Sequence, residues 1–294
     1  MRIASNKIAD INRFFHDELK GVYEKDELET IIAYCFEEYL NIKRADIILR
    51  ATDTVSESQL LKFNFAVKDL KKHKPIQYVL GKADFYGLKF KVNEHVLIPR
   101  PETEELVDLI IKENHESRSN NKAISILDIG TGSGCIPIVL KKSLPASTIY
   151  GMDISKEALE IAEQNAALNQ VEVHFVLDDI LNPKSFIPNP SSPFDIIVSN
   201  PPYVCISEKE QMQKNVLDYE PHQALFVVDN NPLLFYKAIT DLALKQLKPG
   251  GKLYFEINQA YGEETKHLLE SKGFKNVVLI KDLNNKNRIL RGTI

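Results

Sequence analysis

Apolar positions along the chain fall into two regimes. Up to about residue 80 they recur at helical spacing: Leu28, Ile31, Ile32, Cys35 and Tyr39 form one stripe, and Leu60, Leu61, Phe63 and Leu70 a second, less regular one. This predicts a small helical bundle closing on its own core. The basic run Lys71, Lys72, His73 and Lys74 before Pro75 reads as a solvated helix end, where cations suit the dipole. The pattern changes at FYGLKFKVNEHVLI, residues 85–98. Phe85, Leu88, Phe90 and Val92 largely alternate, Asn93-Glu94 offers a turn, and Val96-Leu97-Ile98 returns, which predicts a hairpin. Pro99 and Pro101 then lead into an acidic helix start at Glu102, Glu104 and Glu105.

Beyond residue 120 short apolar runs alternate with helical patterns. Strands are predicted at Ala123–Ile129, Ser147–Asp153, Val171–Leu177, Phe194–Ser199 and Lys252–Ile257, and near Val277–Ile280 and Arg288–Leu290. Helices are predicted around Cys135–Lys142, at Lys156–Leu168, at Leu233–Leu247 (stopped by Pro249-Gly250-Gly251), and once more before the last strands. Such alternation implies an α/β domain whose parallel sheet is covered on both faces. Four prolines between Asn182 and Pro193 predict a rigid surface loop. The division expected is a helical domain over 1–82, a linking hairpin over 83–100 and an α/β domain over 101–294.

Composition adds mainly exclusions. A net charge of −4, with the first 99 residues balanced and the rest acidic, argues against a basic surface for bare nucleic acid. Cys35, Cys135 and Cys205 share no metal-ligand spacing and read as small buried residues in a reducing compartment, so no metal is expected. The first residues lack a signal-peptide pattern and no run of 18 apolar residues occurs, so a cytoplasmic protein away from membranes is expected.

The candidate chemistry starts at Asp128-Ile129-Gly130-Thr131-Gly132-Ser133-Gly134, at the end of the first strand of the α/β region. Glycines there let the backbone turn and approach a ligand closely. Asp153 ends the next strand, where its carboxylate can accept both ribose hydroxyls of a nucleoside. A dinucleotide loop wants G-x-G-x-x-G. Here the spacing is G-x-G-x-G, and the acid at Asp128 suits an ammonium or a sulfonium better than a pyrophosphate.

The fourth strand runs into Asn200-Pro201-Pro202-Tyr203, where open α/β sheets place ligands. Two prolines stop the ladder and leave carbonyls unclaimed. The side-chain carbonyl of Asn200 and the main-chain carbonyl of Pro201 can accept the two hydrogens of a planar amide or amine, while Tyr203 offers a flat face. Catalysis of that kind is positioning and polarisation without a strong base. His222 and His174 read as a turn residue and a packing or surface residue.

The glycine loop with its two acids resembles the class I S-adenosylmethionine-dependent methyltransferases, whose fold is a Rossmann-like seven-stranded, mostly parallel sheet. That resemblance implies that Gly130–Gly134 passes under the methionine moiety, Asp153 holds the ribose, and Asp179 with Ile180 meets the adenine. Asn-Pro-Pro-Tyr is shared by enzymes acting on DNA adenine, rRNA guanine and protein glutamine. Pro75-Ile76-Gln77-Tyr78, Gly81, Phe85-Tyr86-Gly87-Leu88, Val96-Leu97-Ile98-Pro99-Arg100-Pro101-Glu102-Thr103-Glu104, Tyr219-Glu220-Pro221 and Pro249-Gly250-Gly251, together with a helical N-terminal domain, resemble the HemK/PrmC family of protein-(glutamine-N5) methyltransferases. This implies S-adenosyl-L-methionine as cofactor and, as protein partner, a peptide-chain release factor carrying a Gly-Gly-Gln glutamine. It also implies that Leu97, Arg100 and Thr103 lie over the cofactor or line the glutamine channel. A monomer is expected, with no sequence-specific nucleic-acid contact. Three alternatives stay open: a ribosomal-protein glutamine methyltransferase, a nucleic-acid N-methyltransferase, and a non-catalytic module that kept the fold. Asn258 stands where the family often has Gly, and the 182–193 loop is longer.

Overall fold

The computed structural model describes residues 3–114, 123–183 and 193–294, so the middle of the proline-rich loop lies outside the described residues. The chain divides into two compact units. One comprises the residues up to Gly81 together with Gln213–Tyr219; the other is Lys82–Met212 with Glu220–Ile294.

The first unit is helical: α1 (Ile8–Leu19), α2 (Lys25–Leu40), α3 (Arg44–Leu49), α4 (Glu57–Leu70) and α5 (Ile76–Leu80). Leu28, Ile31, Ile32 and Cys35 of the first stripe are buried, and their core is completed by Phe15, Phe36 and Phe63, with Phe36 and Phe63 ring centres 4.9 Å apart. The second stripe is only partly inward. Helix α4 buries Phe63, Ala66, Val67 and Leu70 and leaves Leu61 exposed. Ser56 starts α4 with a capping box: its hydroxyl accepts from the Gln59 N–H, and the Gln59 side chain accepts from the Ser56 N–H. The short helix Lys214–Tyr219 joins this unit, and Tyr219 Oη donates to the Lys72 carbonyl at 2.8 Å.

The second unit opens with the hairpin β1 (Lys82–Phe85) and β2 (Leu88–Lys91). Its turn is Tyr86-Gly87, both at positive φ (49° and 74°), and not the expected Asn93-Glu94; Val96–Ile98 forms no strand. A tyrosine in that conformation is unusual. Helix α6 (Pro101–Glu113) holds it: Tyr86 N–H donates to Glu104 Oε1 at 2.8 Å and Tyr86 Oη to Asp108 Oδ1 at 3.0 Å.

Strands β3 (Ser125–Ile129), β4 (Thr148–Asp153), β5 (His174–Leu177), β6 (Phe194–Ser199), β9 (Leu247–Glu256), β10 (Lys275–Lys281) and β11 (Asn287–Thr293) form one sheet, while β7 (Val204–Cys205) pairs separately with β8 (Phe226–Val227). The sheet order is β10-β11-β9-β6-β3-β4-β5, and only β11 runs against its neighbours. The central strands are apolar on both sides. Ile126, Ile196 and Val198 face a layer built from α6, α7 (Cys135–Ser143) and the hairpin; Leu127, Ile197, Leu253 and Phe255 face α9 (Leu234–Gln246) and α10 (Gly262–Ser271). Helix α8 (Lys156–Leu168) supplies Asn165, whose side chain accepts from Lys91 N–H at 2.6 Å and donates to the carbonyls of Lys91 and Ser133.

Pro249-Gly250-Gly251 does more than stop a helix. It lies inside β9, where the register with β6 shifts between Phe194 and Ile196. A Cβ on Gly251 would come within 2.9 Å of the Lys248 carbonyl. From β3 the chain runs outward through β4 and β5 on one side and through β6 and β9 on the other, so the crevice at its carboxyl end is a topological switch point, the place where ligands bind in this architecture. Among the described residues no helix is long and apolar enough to cross a membrane.

Candidate active site

Gly130, Gly132 and Gly134 all have positive φ (74°, 53° and 77°), so the loop after β3 alternates between left-handed and ordinary backbone. Gly130 and Thr131 N–H both donate to the Met152 carbonyl, tying the loop to the end of β4. Gly134 caps α7 at a tight approach, with its missing Cβ 3.1 Å from Ala162 Cβ and from Ile138 Cδ1. Around Gly132, by contrast, nothing lies within 4 Å of a built Cβ, and the residue borders the cleft. Two opposite outcomes follow. Gly134→Ala is expected to cost about 2 kcal/mol of stability through strain and overpacking. Gly132→Ala should disturb stability less and cofactor affinity more. Thermal unfolding and calorimetric titration of both variants check this.

Asp153 Oδ2 accepts from Gly132 N–H at 2.8 Å and Oδ1 from Ser155 N–H at 3.0 Å. Burial lifts its carboxyl above the usual range, against the pull of those N–H groups. Asp128 is fully buried beneath the loop; neither of its oxygens makes a hydrogen bond of ordinary geometry, and the neighbouring Thr131 hydroxyl is the group that favours its charged form. Burial pushes the Asp128 carboxyl up to about 7. Asp179 Oδ1 accepts from Leu181 N–H and its Oδ2 from Asn182, while Asp178 Oδ1 accepts from Asp179 N–H. The two acids therefore shape the turn after β5 as well as facing the cleft.

Asn200 ends β6. Its Nδ2 donates to Thr103 Oγ1 at 3.2 Å, Thr103 Oγ1 donates to Glu256 Oε2 at 2.6 Å, and Tyr203 Oη donates to Glu256 Oε1 at 3.0 Å. The strand end is tied to the glycine strand by Ser199 Oγ, which donates to the Ile129 carbonyl at 2.6 Å. Asn258, the departure noted in the sequence, has a use: its Nδ2 donates to the Tyr203 carbonyl at 3.0 Å and so braces the Pro-Pro-Tyr backbone.

A cleft of about 410 Å³ connects these parts. Gly130, Gly132, Asp153, Asp179, Ile180, Asn200, Pro201, Pro202 and Leu97 all border it. Asp128, Thr131, Ser133, Gly134 and Thr103 are buried and do not line it, and the half-buried Tyr203 does not line it either. Arg100 is committed elsewhere. Its guanidinium bonds Glu220 Oε1 at 2.5 Å, and Glu220 Oε2 also accepts from Ile98 N–H, so this pair braces the segment carrying Leu97. Sequence reasoning missed Glu220 and Glu256 as site residues. The clue for Glu256 was a lone acid in the apolar run Leu253-Tyr254-Phe255; Glu220 stood in plain view between Tyr219 and Pro221. All three cysteines are buried, and among the described residues no group of three His, Cys, Asp or Glu side chains is arranged to hold a metal.

The sheet order, the glycine loop with its acids and the cleft ending at Asn200 define a methyltransferase of the Rossmann-like class, and a family model described as a methyltransferase domain matches residues 120–287. A second model, the PrmC N-terminal domain, matches residues 13–81. The chain belongs to the release factor glutamine methyltransferase family. It is 48% identical over 277 residues to the release factor glutamine methyltransferase of Flavobacterium psychrophilum, covering 94% of this chain and 95% of that one. The Bacteroides thetaiotaomicron protein of the same name is 42% identical, covering 95% and 98%. Among solved structures, the Thermus thermophilus 16S rRNA N2 G1207 methyltransferase in complex with AdoMet and guanosine is similar in fold: TM-score 0.50 at 17% identity, over 72% of this chain and 49% of that one. The hMettl16 catalytic domain shares the fold with a TM-score of 0.53 at 14% identity, over 81% and 82%.

Proposed function

We propose that this protein transfers a methyl group from S-adenosyl-L-methionine to the side-chain nitrogen (N5) of the glutamine in the Gly-Gly-Gln motif of peptide-chain release factors. Identity of 48% and 42% to relatives bearing that name, over more than nine-tenths of each chain, supports the substrate. The observation that carries the chemistry is the placement of Asn200 and Pro201 in the same cleft as the glycine loop, Asp153 and Asp179.

The residues fit the cofactor. Asp153 borders the cleft with a carboxylate able to accept ribose hydroxyls, Asp179 and Ile180 offer an acceptor and an apolar face for adenine, and Gly130–Gly134 leave room for the methionine portion. The buried Asp128 carboxyl, once it has released its proton, supplies negative charge where a cationic ligand needs it. When bound, the cofactor supplies an activated methyl group on a positively charged sulfur. The protein's own work is then orientation. Asn200 Nδ2 is held by Thr103, which leaves Oδ1 to accept one hydrogen of the incoming amide, and the Pro201 carbonyl accepts the other. Two acceptors fix the plane of the amide and raise electron density on its nitrogen, so no strong base is required.

Asp153→Ala is expected to weaken cofactor binding roughly 10- to 100-fold, since charge-assisted hydrogen bonds contribute ~1.5–3 kcal/mol. Calorimetric titration with the demethylated product reports this without turnover, and unchanged affinity would remove Asp153 from the site. The function itself is tested by offering labelled cofactor to purified release factors, a ribosomal-protein mixture and DNA in parallel. Label confined to the release factors supports the proposal; label on DNA or ribosomal protein alone replaces it with one of those substrates.

A further inference from the structure

Among the buried positions of strand β9 and the residue that follows it, one is not apolar. Leu253, Tyr254, Phe255 and Ile257 are fully buried, and so, at 1% exposure, is Glu256. A carboxyl here costs free energy that an apolar residue of similar volume would avoid, so its presence asks for a role beyond packing. Burial raises its pKa, while the Thr103 and Tyr203 hydroxyls and the field of Arg288 favour the charged form.

The hydrogen bonds that meet at Glu256 have a direction. Both Glu256 oxygens accept, one from Thr103 and the other from Tyr203, and a threonine hydroxyl has one proton to give. At 2.6 Å that proton is committed to Glu256, so Thr103 Oγ1 can offer only lone pairs to its other neighbour. The other neighbour is Asn200, 3.2 Å away. An amide has a donor end and an acceptor end, related by a half-turn about χ2. Facing lone pairs, Asn200 must turn its NH2 toward Thr103, which leaves the carbonyl oxygen for the cleft.

We propose that Glu256 and Thr103 are positioning residues that set the polarity of the Asn200 amide, so that an acceptor and not a donor meets the target nitrogen. This rests on the methyl-transfer function proposed above. It explains why an acid sits in the sheet core 153 residues from the threonine it binds. It also explains why two residues that do not border the cleft bear on its chemistry.

Three variants of the full-length protein separate this from a packing role. Thr103→Val keeps the shape and removes the hydroxyl. Thr103→Ser restores the hydroxyl. Glu256→Gln puts a donor where only acceptors stood, so the relay can run backwards and flip Asn200. The readouts are kcat and KM with a release factor, cofactor affinity, and hydrogen exchange of the Asn200 side-chain amide in nitrogen-15 spectra. Expected in Thr103→Val and Glu256→Gln is a kcat lower by roughly 10- to 100-fold, smaller than the loss of Asn200 itself. KM and cofactor affinity should hold, Asn200 NH2 exchange should become faster, and Thr103→Ser should recover most of both. Wild-type kcat with unchanged Asn200 exchange in Thr103→Val overturns the proposal. So does a loss of cofactor affinity that matches the loss of rate. Should the wild type methylate no release factor while Asn200 exchange still depends on Thr103, the substrate fails and the relay stands.

Discussion

Asn200→Ala is expected to lower single-turnover methylation of a release factor by ~10²–10³, the usual loss when one preorganised hydrogen-bonding group is removed from a reaction centre. Cofactor affinity should stay close to wild type, because Asp153, Asp179 and the glycine loop are untouched by the change. Without Oδ1 only the Pro201 carbonyl remains to hold the substrate amide, which is then free to rotate out of line. Asn200→Asp sharpens the test. Aspartate keeps the acceptors but cannot donate to Thr103 Oγ1, whose single proton already goes to Glu256. The new carboxylate would face the threonine lone pairs with an acid just behind them, and it should swing away or take up a proton. Turnover is therefore expected to fall in both variants. Near-wild-type rates in Asn200→Ala would rule out the orientation mechanism.

Asp128→Asn is expected to raise the stability of the cofactor-free protein at neutral pH while weakening cofactor binding. Unfolded, Asp128 titrates near its ordinary 3.8; folded, burial pushes it up to about 7. The folded state therefore holds a proton that the unfolded state has released. Stability falls as pH rises from about 4 toward 7, and the loss is complete above 7. At about 1.4 kcal/mol per pH unit, the penalty at pH 8 is on the order of 4 kcal/mol, and a carboxamide does not carry it. The melting temperature of the variant should exceed wild type by several degrees at pH 8, with the gap closing toward pH 5. Its affinity for the cationic cofactor should drop about tenfold or more through loss of the nearby anion, and its affinity for the uncharged demethylated product less. Equal melting temperatures at pH 8 would show that the Thr131 hydroxyl offsets the cost of burying the Asp128 charge. Such a trade of stability for binding is common where a site keeps a buried charge.

How far the sequence could be read depended on whether an element's cause is local. Helix α8 and strand β6 match the sequence reading to the residue, since Ser155 caps one and Asn200-Pro201 ends the other. The hairpin turn did not. Nothing in the sequence recommends a tyrosine at φ 49°, and what holds Tyr86 there is Glu104 and Asp108 on a later helix. Pro249-Gly250-Gly251 carries the usual signature of a helix stop, yet it also bends a strand that begins before it. Within the cleft, the residues at strand ends were legible because the topology gathers strand ends at one edge. Glu220 and Glu256 were not, since each acts across the fold, on Arg100 at 120 residues' distance and on Thr103 at 153. Arg100 shows the same limit from the other side: its family motif marked it for the ligand, and its guanidinium lies on Glu220.

The most direct measurement of the central claim is tandem mass spectrometry of a release factor after one turnover with full-length protein and S-adenosyl-L-methionine. A single added methyl is expected, on the side-chain nitrogen of the glutamine in the Gly-Gly-Gln motif, absent when Asn200→Ala is run for the same time. A methyl on any other residue, or a release factor left unmodified while another substrate in the same mixture is methylated, would contradict it.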